Sequence, residues 1–282
     1  MRKNISFYIP AYNAEKTIKA SIRSIENQSI IPDEIIVIDD SSTDGTANII
    51  QSEFSNVKLF INKQNMGLGY NRNLAISKAK NDIVAAIDAD VILDKHWLEN
   101  LMPEIEKKNV LMCGGKMTEQ LIENRINLWR AKYYSQNWGD KLVINPPFLY
   151  GCNTLLIKSV WQKVNGYNED LKTNGEDINF INKVKSIFKE QIIYQPAAKC
   201  YHLQNDNIES ISNRVWRYHS FAYKIKEPSL QKLIKLSIKQ LKFFIQRFMR
   251  GLINFDLDDI NISFKVLTNF IKLEYKFFKK NK

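Results

Sequence analysis

A chain of 282 residues, 44% hydrophobic and 25% charged, can bury one large core or a core with an appendage, which excludes wholesale disorder. Its three cysteines, Cys113, Cys152 and Cys200, form no CxxC pair, which argues against a disulfide framework and a cysteine zinc site and fits a reducing compartment. The net charge of +11 is uneven: residues 1–223 carry 27 Lys/Arg against 25 Asp/Glu and residues 224–282 carry 14 against 5, so body and tail meet different partners.

Short apolar runs alternate with helix-like stretches from the start. ISFYIP (5–10) reads as a strand, and AEKTIKASIRSIENQ (14–28) as an amphipathic helix capped by Asn13. EIIVIDD (34–40) is a buried strand, followed by a helix capped by Asp44. VKLFIN (57–62), LGYNRNLAISKAK (68–80), DIVAAID (82–88) and KHWLENLMPEIEKK (95–108) continue the strand–helix rhythm. That rhythm predicts an open, mostly parallel sheet flanked by helices, with ligands at the carboxyl ends of its strands. Beyond residue 110 the alternation loosens: VLMCGGKM and GCNTLLIK read as strands, EQLIENRINLWRAKYYSQNW as helical, and EDINFINKVKSIF as a helix opened by Gly175. From about 206 the pattern is helical only. The N-terminus MRKNISFYIPAYN lacks the apolar centre of a signal peptide. No stretch reaches the roughly 18 to 20 apolar residues of a spanning helix, so a cytoplasmic protein is expected.

Acidic groups collect at the strand ends. Asp88 and Asp90 close the fourth strand, where a hard cation such as Mg²⁺ or Mn²⁺ would remove their mutual repulsion; the plainer alternative is a pair of solvated turn residues. Asp39 and Asp40 end the second strand ahead of Ser41-Ser42-Thr43-Asp44, where a carboxylate would accept from a base N–H and the hydroxyls are ordinary turn chemistry. Asn174-Gly175-Glu176-Asp177 opens a helix. Its carboxylates favour the helix dipole, and Asp177 would alternatively take a proton from an incoming hydroxyl. His202 ends a strand-like stretch, as a structural residue or a further metal ligand.

Six stretches in order resemble the family-2 glycosyltransferases of the GT-A fold: IPAYNAEKTI (9–18), IIVIDDSSTDGT (35–46), NMGLGYNRNLAI (65–76), IVAAIDADVIL (83–93), GCNTLLIKSVWQKVNGYNEDLKTNGEDINF (151–180) and YH (201–202). The resemblance implies a GT-A catalytic domain over 1–205 with a Rossmann-like nucleotide-binding half, followed by a basic helical region over 206–282. It implies inverting transfer of a sugar from a nucleotide-sugar donor, a UDP-sugar above all, to a hydroxyl of a glycan or lipid-linked acceptor. By similarity, Asp40 would hold the uracil edge, with Pro10, Tyr12 and Asn13 near the nucleotide. Gly67 and Arg72 would belong to the loop closing over it. Asp88 and Asp90 of the DXD would serve ribose and metal with His202, and Asp177 would be the catalytic base with Glu176 beside the acceptor. Q-x-x-R-W, the mark of the processive branch, is missing; the nearest stretch is SNRVWRYHS (212–220), so a polymer synthase and exporter is not expected.

In SLQKLIKLSIKQLKFFIQRFMRGLIN (229–254) two stripes follow helical spacing: Leu230, Ile234, Ile238, Leu241, Ile245, Phe248 and Leu252, and opposite them Lys232, Lys235, Lys239, Lys242 and Arg250. A second aromatic and basic segment, FIKLEYKFFKKNK, closes the chain. Either the apolar stripe packs on the body, or the helix lies on an anionic membrane, which places the protein at the inner face of the cell membrane; both hold if the docked helices turn their basic face to the lipid. No nucleic-acid-binding module is recognised. Trp129, Tyr133, Tyr134 and Trp138 offer rings for acceptor sugars, core packing being their ordinary use. The rival readings are a non-catalytic nucleotide-sugar-binding scaffold at the membrane and a metal-dependent nucleotidyltransferase, whose Gly-rich phosphate loop PAYNAEK lacks.

Overall fold

The computed structural model describes residues 4–224 and 230–280. Residues 1–3, 225–229 and 281–282, which carry parts of the N-terminal reading and of the basic tail, lie outside the described residues. Contacts divide the chain into two units, Met1–Gln120 with Gln136–Leu203, and Leu121–Ser135 with Gln204–Lys282.

In the first unit the apolar runs become parallel strands: β1 (Ile5–Ala11), β2 (Glu34–Asp39), β3 (Val57–Ile61) and β4 (Ile83–Ile87), in the order β3-β2-β1-β4. Between them lie α1 (Ile18–Glu26), α2 (Thr46–Glu53) and α3 (Leu68–Lys78). Every residue of β1, β2 and β4 is buried, which is why these strands read as unbroken apolar runs rather than as alternation. The direction of winding reverses between β1 and β4, so the crevice at their carboxyl ends is the natural ligand site.

The second half of the sheet is mixed. β5 (Val91–Leu93) and α4 (Trp97–Ile105) follow β4, and β6 (Val110–Glu119) leads to α5 (Arg125–Tyr133). Then come β7 (Val143–Ile144), β8 (Asn153–Ile157), α6 (Lys158–Lys163), α7 (Glu176–Ile187) and β9 (Gln191–His202). β8 is antiparallel to β4 and β6, and β6 runs parallel to β9. One apolar layer on this sheet holds Phe7, Ile22, Trp97 and Leu101, and another holds Tyr8, Ile76, Leu156 and Phe180.

Two local expectations are corrected. Asn13 does not cap α1: it adopts a left-handed φ of 50°, its side-chain oxygen accepts from the Thr43 N–H at 2.8 Å, and the helix begins after Thr17. Trp129 lies in the second unit, 2% exposed, with its indole N–H donated to Ser263 at 2.8 Å, so it has no face left for a sugar ring. Tyr133 likewise donates its hydroxyl to Asp259 at 2.7 Å. The second unit is thus α5 joined to α8 (Ile208–Lys224), α9 (Leu230–Ile253) and α10 (Leu257–Lys280). The buried Arg130–Asp206 ion pair fixes α5 to the start of α8.

Of the two readings of the tail, the packed apolar stripe is the one the structure departs from. The side chains of Leu230 and Lys232 lie outside the described residues, but Ile234, Ile238, Leu241, Ile245 and Leu252 are all 46–50% exposed. α9 instead buries Gln240 and Gly251 and sets Phe244 against Phe264 of α10, with ring centroids 6.4 Å apart. The packed face therefore sits roughly a quarter of a turn from the apolar stripe at 3.6 residues per turn.

β9 makes one excursion that matters below. Opposite Gly115-Lys116 of β6, its partner residues jump from Gln195 to Lys199, so Pro196–Ala198 loop out of register. Beyond the jump β9 pairs with β5, setting His202 beside Val91, directly after Asp90. A Cβ on Gly115 would stand 2.1 Å from the Ala198 carbonyl oxygen, so only glycine fits there. Gly115→Ala is expected to cost at least about 1–3 kcal/mol through overpacking, read as a lowered denaturation midpoint.

Candidate active site

The carboxyl edge of the sheet gathers the acids that the sequence singled out. At its centre is Arg72, on the inward face of α3 and 1% exposed. Its guanidinium donates from Nη2 to Asp88 Oδ1 at 2.9 Å, from Nη1 to the Gly151 carbonyl at 2.7 Å, and from Nε to Glu176 Oε1 at 3.3 Å. Burial opposes its charge, but Asp88, Tyr8 and Glu176 outweigh that and hold the guanidinium firmly protonated. Arg72 was expected in a loop over the nucleotide; it is instead the buried hub that joins the end of β4, the turn before β8 and the start of α7.

Asp177 belongs to the same hub. The Gly151 N–H, on the peptide unit next to the carbonyl that Arg72 holds, donates to Asp177 Oδ2 at 3.3 Å, and the Ile178 N–H donates to Oδ1 at 2.7 Å. Gly175 at φ 84° makes the turn that starts α7 here. Glu176, expected to meet an acceptor, is 3% exposed and turned onto Arg72, so it orders the site from behind. Burial, with the adjacent Asp177 charge, pushes Glu176 up to about 7; Asp177 is raised as well, first by burial. The two titrate as a pair.

Asp88 and Asp90 diverge. Asp88 is taken by Arg72; burial raises its pKa, Arg72 opposes this and the Asp90 charge adds to it. Asp90 Oδ2 faces His202 Nε2 at 3.3 Å, while His202 Nδ1 lies 3.1 Å from Glu119. Burial disfavours a charge on His202, yet Asp90 and Glu119 overcome it and hold its pKa at about 9. The expected triple of Asp88, Asp90 and His202 is therefore not gathered, because Asp88 is drawn to the guanidinium. Among the described residues no three His, Cys, Asp or Glu side chains stand together as metal ligands. Glu119 was missed: it ends β6, and nothing in its neighbourhood in the chain points to His202.

On the other side of β1, Asp40 is 3% exposed and accepts from Met66 N–H, Gly67 N–H and Asn62 Nδ2, each at 2.8 Å. Those bonds fix the loop into α3, leaving roughly one of a carboxylate's four lone-pair sites for a ligand. Gly67 has φ 91°, and a Cβ there would meet Lys172 at 2.8 Å, so the loop needs a glycine. Asp39 binds the Ser42 hydroxyl and N–H. Pro10 is buried in β1, while Tyr12 at its end is 52% exposed, and the Asn13 N–H donates to Ser42 Oγ at 2.9 Å. Pro10, Tyr12, Asn13, Asp40 and Gly67 thus line the β1–β2–α3 side of the rim.

Comparison with known proteins gives a family and a fold. The model of "Glycosyl transferase family 2" covers residues 6–164, more than half of the chain. A chondroitin synthase of Escherichia coli is 27% identical over 85% of this chain and 34% of its own length. An Escherichia coli UDP-Glc:alpha-D-GlcNAc-diphosphoundecaprenol beta-1,3-glucosyltransferase, WfgD, is 35% identical over 39% of this chain and 44% of its own. The fold is shared with the mannosyltransferase PcManGT of Pyrobaculum calidifontis, solved with GDP-Man and Mn²⁺: the TM-score is 0.64 at 14% identity, covering 96% of this chain and 87% of that one. The chain spans 19–45% of the length of the first relatives it matches.

The hub has a thermodynamic signature. Arg72→Met leaves Glu176 and Asp88 buried without their counter-charge and is expected to cost about 3–5 kcal/mol, measured by urea denaturation. Arg72→Lys should recover only part of this, because one ammonium cannot serve three directions as the planar fork does.

Proposed function

The chain belongs to glycosyl transferase family 2, and on that premise we propose that it moves a sugar from a UDP-sugar to a hydroxyl of a glycan or lipid-linked acceptor, with inversion at the anomeric carbon. The observation that carries the reading is the convergence of Asp88 and Glu176 on one buried arginine, with Asp177 held by the N–H of Gly151, whose carbonyl the same arginine binds, and Asp90 two residues after Asp88. Scattered acids would serve turns and caps; these share one rim.

In this reading the nucleotide lies along the side lined by Pro10, Tyr12, Asn13, Asp40 and Gly67. The exposed Tyr12 ring is suited to a base face, and the spare lone pair of Asp40 to a uracil N–H. Asp88, steadied by Arg72, is suited to ribose hydroxyls. Asp177 is the base: it is held by two backbone N–H groups, and its raised pKa brings it closer to the hydroxyl it must deprotonate.

Asp90 and His202 fit a divalent cation, Mn²⁺ or Mg²⁺. Their oxygen and nitrogen face one another, and Glu119 on the far ring nitrogen would keep Nε2 free to ligate. Two protein ligands suffice for a hard ion that takes the rest of its shell from water and phosphate oxygens. When bound, such an ion offsets the charge that develops on a departing diphosphate. UDP as the nucleotide and a lipid-linked acceptor follow the named reaction of WfgD.

Nucleoside diphosphate release from a panel of activated sugars with Mn²⁺ tests this. Asp177→Asn should lower kcat by about 10²–10⁴ with an unchanged melting profile, the range for loss of a general base. Asp90→Ala should abolish the dependence on added Mn²⁺. Turnover needs an ionised Asp177, so the acid limb of the pH profile should fall above the ordinary carboxylate range, with activity lost as pH drops through it. Equal activity in wild type and both variants would overturn the reading.

For the tail, we propose that α9 lies on an anionic membrane. No helix among the described residues is long and apolar enough to span one. The exposed stripe Ile234, Ile238, Leu241 and Ile245 runs beside the exposed Lys235 and Lys242, the composition of an interfacial helix. Ile238→Asp/Ile245→Asp, both at exposed positions, should remove flotation with phosphatidylglycerol vesicles while leaving soluble-acceptor turnover unchanged.

A further inference from the structure

The second unit contains a cavity of about 470 Å³ that plays no part in the reading above. Three helices border it: α5 contributes Tyr133, with Tyr134 at its C-terminal cap, α8 contributes His219, and α9 contributes Lys239, Arg247 and Arg250. It opens on the side of α9 roughly opposite the exposed isoleucines, since residues 239, 243, 247 and 250 follow a separate helical stripe.

Its chemistry has one sign. Lys132 also lines it but is neutralised by Asp259, with Asp256 at 4.0 Å. Among the described residues no carboxylate pairs with Lys239, Arg247 or Arg250. Arg247 is fixed rather than waving in solvent. Its guanidinium carbon lies 4.9–5.0 Å from the ring centroids of Trp129, Tyr133 and Tyr134, and Nη2 donates to the Tyr134 hydroxyl at 3.0 Å. An aromatic cradle orders this cation without cancelling its charge. The fold itself requires no such group: an arginine set on three rings and flanked by two unpaired cations repels its neighbours unless an anion joins them.

We propose that this cavity is a binding site for a phosphate or diphosphate group. A planar guanidinium and two flexible cations converging from one side suit a compact oxyanion of multiple charge, and the volume leaves room for part of the molecule that carries it. The field is already evident at His219: burial, and then the charges of Lys239 and Arg247, push its pKa down to about 4. An anion in the cavity reverses the second effect and raises it.

The test uses the full chain, free of divalent cations, titrated with pyrophosphate by calorimetry while the His219 ring is followed by NMR. Saturable binding should fall at least tenfold in Lys239→Gln/Arg250→Gln and stay unchanged in Lys235→Gln/Lys242→Gln, which removes the same charge from the neighbouring face. The His219 pKa should rise in the wild type. Competition by phosphatidic acid vesicles at the His219 signal would assign the phosphate to a lipid headgroup, and no competition would assign it to a water-borne molecule; either result sustains the site. Equal weakening by both pairs of substitutions, or a His219 resonance that does not respond, overturns it.

Discussion

A single guanidinium bears most of the order at the sheet's carboxyl edge. Arg72 is buried, and a buried charge survives only with partners on every side. Those partners come from the end of β4, the turn into β8 and the start of α7, up to 104 residues along the chain from the arginine on α3. Their mutual positions are set by one planar group with fixed donor directions. The same group prevents Asp88 and Asp90 from acting as a simple pair, because it takes one and leaves the other to His202.

The rim consequently has two electrostatic halves. Around Arg72 stand Asp88, Glu176 and Asp177, where burial works against ionisation and carboxyl pKa values rise. Around His202 stand Asp90 and Glu119, where two carboxylates favour a positive charge in the place a cation would take. In the proposed reading, a donor that is neutral at its sugar and anionic at its diphosphate matches such a division, with proton transfer on one side and charge compensation on the other. The β9 excursion is the backbone's contribution: without it His202 would fall out of reach of Asp90.

Much of this was legible in the sequence, for identifiable reasons. Strands β1, β2 and β4 are buried on both faces and so announce themselves as apolar runs; the acids that follow them are placed by that alone. β5, with three residues, and α6, with six, are too short to impose a period. The pairing of Glu119 with His202 and of Trp129 with Ser263 is not legible because the partners lie 83 and 134 residues apart. α9 is legible as amphipathic, but not which of its faces packs within the second unit. Its packed side carries Gln240, Gly251 and Phe244, which hydrophobicity alone would not select over a row of isoleucines.

Helix α5 has a bearing on how such a chain can be recombined. Because it is spliced out of the middle of one unit and built into the other, the backbone passes between them at residues 120/121, 135/136 and 203/204. No single break in the covalent chain separates the two intact. A genetic exchange or protease cut near residue 205 would strip the C-terminal bundle of Trp129 and Arg130, its central indole and its buried ion pair. The helical appendage is therefore inherited with its host rather than as a detachable cassette.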